Sequence, residues 1–280
     1  MTQKSRSGRA PSGKDPTPAV ATVNLTRRFE DLVAVDHLGL TIEHGAFFGL
    51  LGSNGAGKTT AIRMLTTLLP PSSGTARVAG FDIVREPREV RRRIGYVPQM
   101  LSADGGLTGR ENLTLSAKLY AIQGSERKER IDQALAFMGI AEVGNALVRT
   151  YSGGMIRRLE IAQSMLHRPA VLFLDEPTVG LDPRARHAVW DRLRELRSQF
   201  GTSTLLTTHD MEEADALCDE VAIMHRGRIV VTGTPKGLKA AAGENATMDD
   251  VFVRHTGGAI EEGGTYREVA RTRATARRLE

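Results

Sequence analysis

The chain has 280 residues, a formal net charge of +5, 40% hydrophobic and 25% charged residues; that is globular composition, with length enough for one large core or two modest ones. No run of about 18 apolar residues occurs, which excludes a segment spanning a bilayer as a helix, and a single cysteine, Cys218, excludes an internal disulfide and fits a reducing compartment. The basic excess sits in residues 1–18 and 267–280, each with a net charge of +3, leaving about −1 for the body; no nucleic-acid face follows from it, and no nucleic-acid partner is expected.

Residues 1–18, rich in Ser, Gly, Pro and Lys with no apolar stretch behind them, read as a disordered tail rather than a secretory signal. From Val20 short apolar runs alternate with helix-length segments. FFGLLG (47–52) reads as a buried strand entering a glycine loop, and 58–68 as a helix stopped by Pro70-Pro71. RVAG and RRIGYVPQ supply further strands, and residues 110–138 show helical periodicity broken at Gly124. AVLFLDEP (170–177) is a continuous apolar strand ending in two acids, TLLTTHD (204–210) is another, and EVAIMHRGRIVVTG reads as a hairpin turning at Arg226-Gly227. Strands interleaved with helices predict an α/β fold with a mostly parallel central sheet.

LLGSNGAGKTT contains G-x-x-x-x-G-K-[ST], with Gly52, Ser53, Asn54, Gly55, Ala56, Gly57, Lys58, Thr59 and Thr60 between a strand and a helix. Small residues let the backbone curl with its N–H groups inward, and amides opening a helix bind polyphosphate. Lys58 adds a charge at the outer phosphates, and the Thr59 hydroxyl suits Mg²⁺. VLFLDE places Asp175 and Glu176 at a strand's C-terminal end, where open α/β sheets bind ligands. Asp175 suits the metal shell; Glu176 suits a general base facing an attacking water.

With YSGGMIRRLEIAQSMLHRP (151–169) added, the chain resembles the ATP-binding-cassette ATPases along about 240 residues. The resemblance implies a phosphate-loop NTPase with a mostly parallel sheet, an antiparallel β part, a helical signature subdomain and a short C-terminal helical extension. It implies an ATPase domain over 19–240, with its helical part about 100–168, and an extension with a basic tail over 241–280. Phe29 matches the family's aromatic residue that stacks on adenine. Gln99 in YVPQ matches the Q-loop glutamine, a sensor of Mg²⁺ and water; Asp182 in GLDP lies in the D-loop; His209 in TTHD matches the switch histidine. Ser152 reads as an N-cap and Gly153-Gly154 as the opening of a helix with an apolar face at Ile156, Leu159, Ile161 and Met165. In the family that helix end reaches the γ-phosphate from a second copy, so two ATP molecules lie in a head-to-tail homodimer.

Two positions depart from the family pattern: Tyr151 stands where Leu is common and Met155 where Gln is common. SGGM with Arg157-Arg158, GGLTGRENL (105–113) and TMDDVFVRHTG (247–257) resemble the daunorubicin-resistance branch of drug exporters; the last reads as a short helix capped by Thr247, with Asp250 three residues on. The resemblance therefore implies an ATP- and Mg²⁺-dependent subunit on the cytoplasmic face of the membrane, driving a separate permease through a surface near residues 95–123. An importer subunit and a cytosolic mechanical ATPase are the alternatives; a single phosphate loop without sustained heptads disfavours the second.

Overall fold

The computed structural model describes residues 17–257; the tails expected over 1–18 and 267–280 lie outside that range except for residues 17 and 18. Two sheets form. β1 (Val20–Phe29), β2 (Leu32–Ile42), β4 (Ser73–Val78) and β5 (Phe81–Asp82) make an antiparallel sheet in the order β2-β1-β4-β5. β3 (Phe47–Leu51), β6 (Ile94–Val97), β7 (Val171–Asp175), β8 (Ser203–Thr208), β9 (Glu220–His225) and β10 (Arg228–Gly233) make the second, in the order β10-β9-β3-β8-β7-β6. Its pairings are parallel except for the β9–β10 hairpin.

The central strands β3, β7 and β8 are buried along their whole length because both faces are covered; β3 and β7 are apolar up to Asp175, while β8 carries Ser203, Thr204, Thr207 and Thr208 beside its two leucines. Phe48 and Leu50 of β3 and Phe173 of β7 face α1 (Lys58–Leu65) and the antiparallel sheet, in a core with Ile62, Leu65, Leu25 and Leu38. Phe47 and Leu51, with Leu172 and Leu174, face the opposite core. Contributors to that core include α3 (Gly109–Leu119), α4 (Gly124–Phe137), α5 (Gly153–Met165), α6 (Pro183–Phe200) and α7 (Met211–Leu217). A short α2 (Pro87–Arg93) precedes β6; α8 (Pro235–Ala242) and α9 (Met248–Thr256) follow the hairpin, with Val251 and Phe252 fully packed. This is the α/β architecture the motifs implied.

Several boundaries differ from the sequence reading. The helix after the phosphate loop ends at Leu65, not 68. The amides of Leu68 and Leu69 both turn back to Arg63 O, and Thr67 takes φ 64°, so the chain leaves the helix before the prolines. The break in 110–138 is a turn over residues 120–123, and Gly124 (φ 58°) opens α4 rather than interrupting it. Arg92 and Arg93 of RRIGYVPQ belong to α2, not to the strand. The Arg226-Gly227 turn is present, with φ 46° and 83° at its two residues.

Candidate functional site

The phosphate loop emerges from β3 between two backbone neighbours. Asp36 N donates to Gly227 O at 2.8 Å and Gly227 N to Ala56 O at 2.9 Å, so β2 and the β9–β10 turn brace the loop. Gly57 caps α1 with φ 106°, and a Cβ there would collide with the Ala34 carbonyl; left-handed backbone in so narrow a gap requires glycine. An open cavity of about 540 Å³ lies over the loop, lined by Phe29, Leu32, Val33, Ala34, residues 54–60, Gln99, Glu176, Arg226 and Gly227.

At its floor the charged groups are buried but paired. Lys58, 4% exposed, donates from Nζ to Gly52 O at 2.7 Å and Ser53 O at 3.1 Å, and lies 3.1 Å from Glu176 Oε1. Glu176 Oε2 accepts from Gln99 Nε2 at 3.3 Å and lies 3.2 Å from His209 Nδ1. Asp175 Oδ1 accepts from Thr207 Oγ1 at 2.6 Å and Thr59 Oγ1 at 3.2 Å. Strand order explains the convergence: β3, β7 and β8 are neighbours, so the loop after β3, the acids ending β7 and the histidine after β8 share one sheet edge.

Glu176 has the left-handed φ of 47°, unusual for a residue with a side chain. Its amide is held by Thr207, donating to the carbonyl at 3.0 Å and to Oγ1 at 3.1 Å, which keeps the carboxylate aimed at Lys58. Burial works to raise the Glu176 carboxyl, but the His209 bond and the Lys58 charge outweigh it and the group titrates below its usual value. Burial raises Asp175, against the bonds from Thr207 and Thr59. His209 is raised by its bond to Glu176 and by that residue's charge, against partial burial.

Phe29 ends β1 with 41% of its surface exposed, and the Arg27 guanidinium carbon lies 4.5 Å from its ring centroid. Ser152, Gly153, Gly154 and Asp182 do not line the cavity. Ser152 caps α5 by accepting from Met155 N at 3.3 Å, and Asp182 caps α6 by accepting from Ala185 N at 2.9 Å. A Cβ on Gly154 would come 2.8 Å from Ala185 Cβ, so the two helix starts pack side by side. Ser152 and Gly153 are exposed, and the α5 N-terminus thus presents its amides outward. On α5, Leu159 and Ile161 are buried while Ile156 and Met165 are half-buried. Tyr151 is buried with its hydroxyl on Val143 O at 2.5 Å, a bond leucine could not make.

The sequence reading missed Thr207, which holds both acids in place, and Glu213. The Glu213 carboxylate accepts from Thr178 Oγ1 at 2.7 Å and Trp190 Nε1 at 3.0 Å, fastening the loop after β7 to α6 and α7. Burial raises its pKa. An acid in a helix's first turn usually faces water, so MEEA offered no signal that this one points inward.

A glycine-bound loop, a buried lysine, two strand-end acids and a histidine on one edge of a parallel sheet define a nucleotide-binding ATPase. Residues 35–179 match the ABC transporter family model. The daunorubicin/doxorubicin resistance ATP-binding protein DrrA of Streptomyces peucetius is 47% identical over 230 residues, 82% of this chain and 69% of that protein. The Nod factor export ATP-binding protein I of Sinorhizobium fredii is 44% identical over 220 residues, 79% of this chain and 64% of that protein. A solved ATP-binding subunit of an ABC transporter superposes with a TM-score of 0.75 at 27% identity, covering 84% of this chain and 98% of its own. The chain belongs to the ABC transporter family, as an ATP-binding subunit whose ATP hydrolysis is coupled to transport.

Proposed function

We infer that the chain powers a separate membrane permease that exports drugs or other lipophilic compounds, working as a homodimer on the cytoplasmic face of the membrane. The relatives named for drug resistance and for Nod factor export support the direction of transport. The observation that carries the coupling is a surface beside the Q-loop glutamine. Leu68 (59% exposed) and Leu119 (78%) line one cleft with Pro98 and Ser102, which bracket the exposed Met100 (82%) and Leu101 (49%); apolar surface of this kind next to a nucleotide site marks a protein contact. Among the described residues no helix is long and apolar enough to cross a membrane; on this reading the exposed surface supplies the contact with the permease.

The same site supports the chemistry. Glu176 accepts a proton from the attacking water, held unprotonated by Lys58 and His209. His209 steadies that water, Gln99 reports on it, and Lys58 neutralises charge on the γ-phosphate. Phe29 stacks on the adenine. The Thr59 hydroxyl, the Asp175 carboxylate and the Gln99 side-chain oxygen offer hard oxygen donors that would hold Mg²⁺; when bound, that ion would polarise the phosphate oxygens. Ser152, Gly153 and Gly154 of a second copy close the pocket, with Asp182 beside them. ATP drives closure because the closed pair binds it more tightly than the open chain does.

The test is transport in inside-out membrane vesicles carrying the chain and the membrane protein encoded beside it. ATP-dependent accumulation of daunorubicin is expected. ATP-driven movement in the opposite direction, or fractionation of the chain with ribosomes instead of membranes, contradicts the reading.

A further inference from the structure

One buried ion pair plays no part in the chemistry above. Arg157 and Glu160 lie one turn apart on α5, their side chains each 2% exposed and 3.0 Å apart. Both reach the segment between β6 and α3. Arg157 donates to Pro98 O and Gln99 O, each at 2.7 Å. Glu160 accepts from Ser102 N, from Ser102 Oγ at 3.1 Å and from Ala103 N at 3.3 Å. Two side chains of the signature helix therefore grip both ends of residues 98–103 by their backbone. That stretch contains Gln99, on the Glu176 carboxylate, and the exposed Met100 and Leu101.

A buried ion pair is poor evidence for stability, because apolar residues of similar volume pack as well, and Arg157 Nε is buried without a partner. What an apolar pair cannot do is hold five particular backbone and hydroxyl groups. We propose that Arg157 and Glu160 are positioning residues that lock the Q-loop to the signature helix, so that Gln99, the permease-facing Met100-Leu101 and the α5 N-terminus move as one body. A push on Met100 then displaces Ser152 and Gly153 together with Gln99, and closure of α5 on a second copy's nucleotide sets Gln99 at the same moment. The inference rests on the placement of Gln99 in the ATP site. Loss of that reading would show in the unmodified chain, as absent ATPase activity, whereas loss of this one shows only in the variants.

The test compares the full chain with the double variant Arg157→Met/Glu160→Met and with Glu160→Gln, which removes the charge but keeps an acceptor for Ser102 and Ala103. Three quantities are measured: affinity for a fluorescent ATP analogue, kcat, and amide hydrogen exchange of residues 98–103. For the double variant, affinity stays within about threefold while kcat falls about tenfold, because misplacing a positioned group costs rate rather than binding. Exchange at Ser102 and Ala103 rises at least about a hundredfold as their acceptor is lost. Glu160→Gln leaves Arg157 buried without its counter-ion and so lowers the midpoint of urea unfolding, but it retains the protection and loses no more than about threefold in kcat. The proposal is overturned if the double variant keeps its kcat, if kcat falls without faster exchange at 102–103, or if Glu160→Gln is as impaired as the double variant. A double variant unable to fold would make the pair a core support and overturn it equally.

Discussion

The two ends that meet nucleotide in this family are built differently within the chain. The phosphate-loop end is self-contained: Lys58, Glu176, Gln99 and His209 form one hydrogen-bonded cluster, and Asp175 is tied to Thr59 and Thr207 beside it. The signature end has only Ser152 as a cap and Gly153-Gly154 at an outward helix start. The first is assembled by folding, since neighbouring parallel strands bring its residues to one edge. The second is folded with its helix start exposed, and in the proposed homodimer it acquires a ligand only from the other copy. On that proposal, chemistry that needs both ends is conditional on association.

The largest effect that would break this contrast belongs to the self-contained end. Lys58→Ala removes the charge at the loop and leaves Glu176 buried without its cation, so ATP binding and turnover should both be lost, the latter by more than about 10³-fold; equilibrium binding and steady-state hydrolysis measure this. Glu176→Gln keeps the pocket's shape, so ATP binding should survive while turnover drops by roughly 10²–10⁴-fold, as loss of a general base does. Near-normal turnover in that variant would remove Glu176 from its role.

Smaller effects sharpen the difference. Tyr151→Phe, just before the signature, deletes the bond to Val143 O, a half-buried carbonyl that still accepts from Ala146 N at 2.8 Å, costing about 0.5–1.5 kcal/mol in urea unfolding with little change in kcat. The His209–Glu176 pair should show as a pH-dependent term. Its raised histidine value makes the contribution complete below the ordinary value of about 6.5 and lost as pH rises through the raised one. His209→Ala should therefore be less stable than the parent by at most about 1 kcal/mol at pH 5.5, with the gap narrowing by pH 8.5.

Legibility in the sequence followed the same division. The loop, the strand-end acids and their shared edge could be read from spacing, because a glycine-rich turn between a strand and a helix has few other uses. Gln99 and His209 became readable only through resemblance, since a lone polar residue after a strand has no distinguishing local pattern. Thr207, Glu213 and the Arg157–Glu160 pair stayed invisible. Each is a polar residue whose partners are set by tertiary packing: Thr207 sits in a strand that already reads as buried, and Glu213, Arg157 and Glu160 lie on helices in patterns that ordinarily face solvent. The long antiparallel strands β1 and β2 were not delimited either; their outer faces mix Thr, Asn, Arg and His, and shifts of register interrupt the pairing.

The proposed dependence of one end on a second copy can be measured with a mixed pair. One copy carries Lys58→Ala. The other carries Gly153→Asp, which adds a negative charge where phosphate would sit; its Cβ would lie 3.4 Å from Leu181 Cδ2, an ordinary contact, and an acid in the first helical turn does not weaken the helix. Neither homodimer has an intact composite pocket, whereas the mixed pair has one, so hydrolysis should return to about half that of the unmodified protein while each homodimer stays at least about 10²-fold lower. A mixed pair no faster than its two parents would show that the signature end does not complete the pocket of another copy.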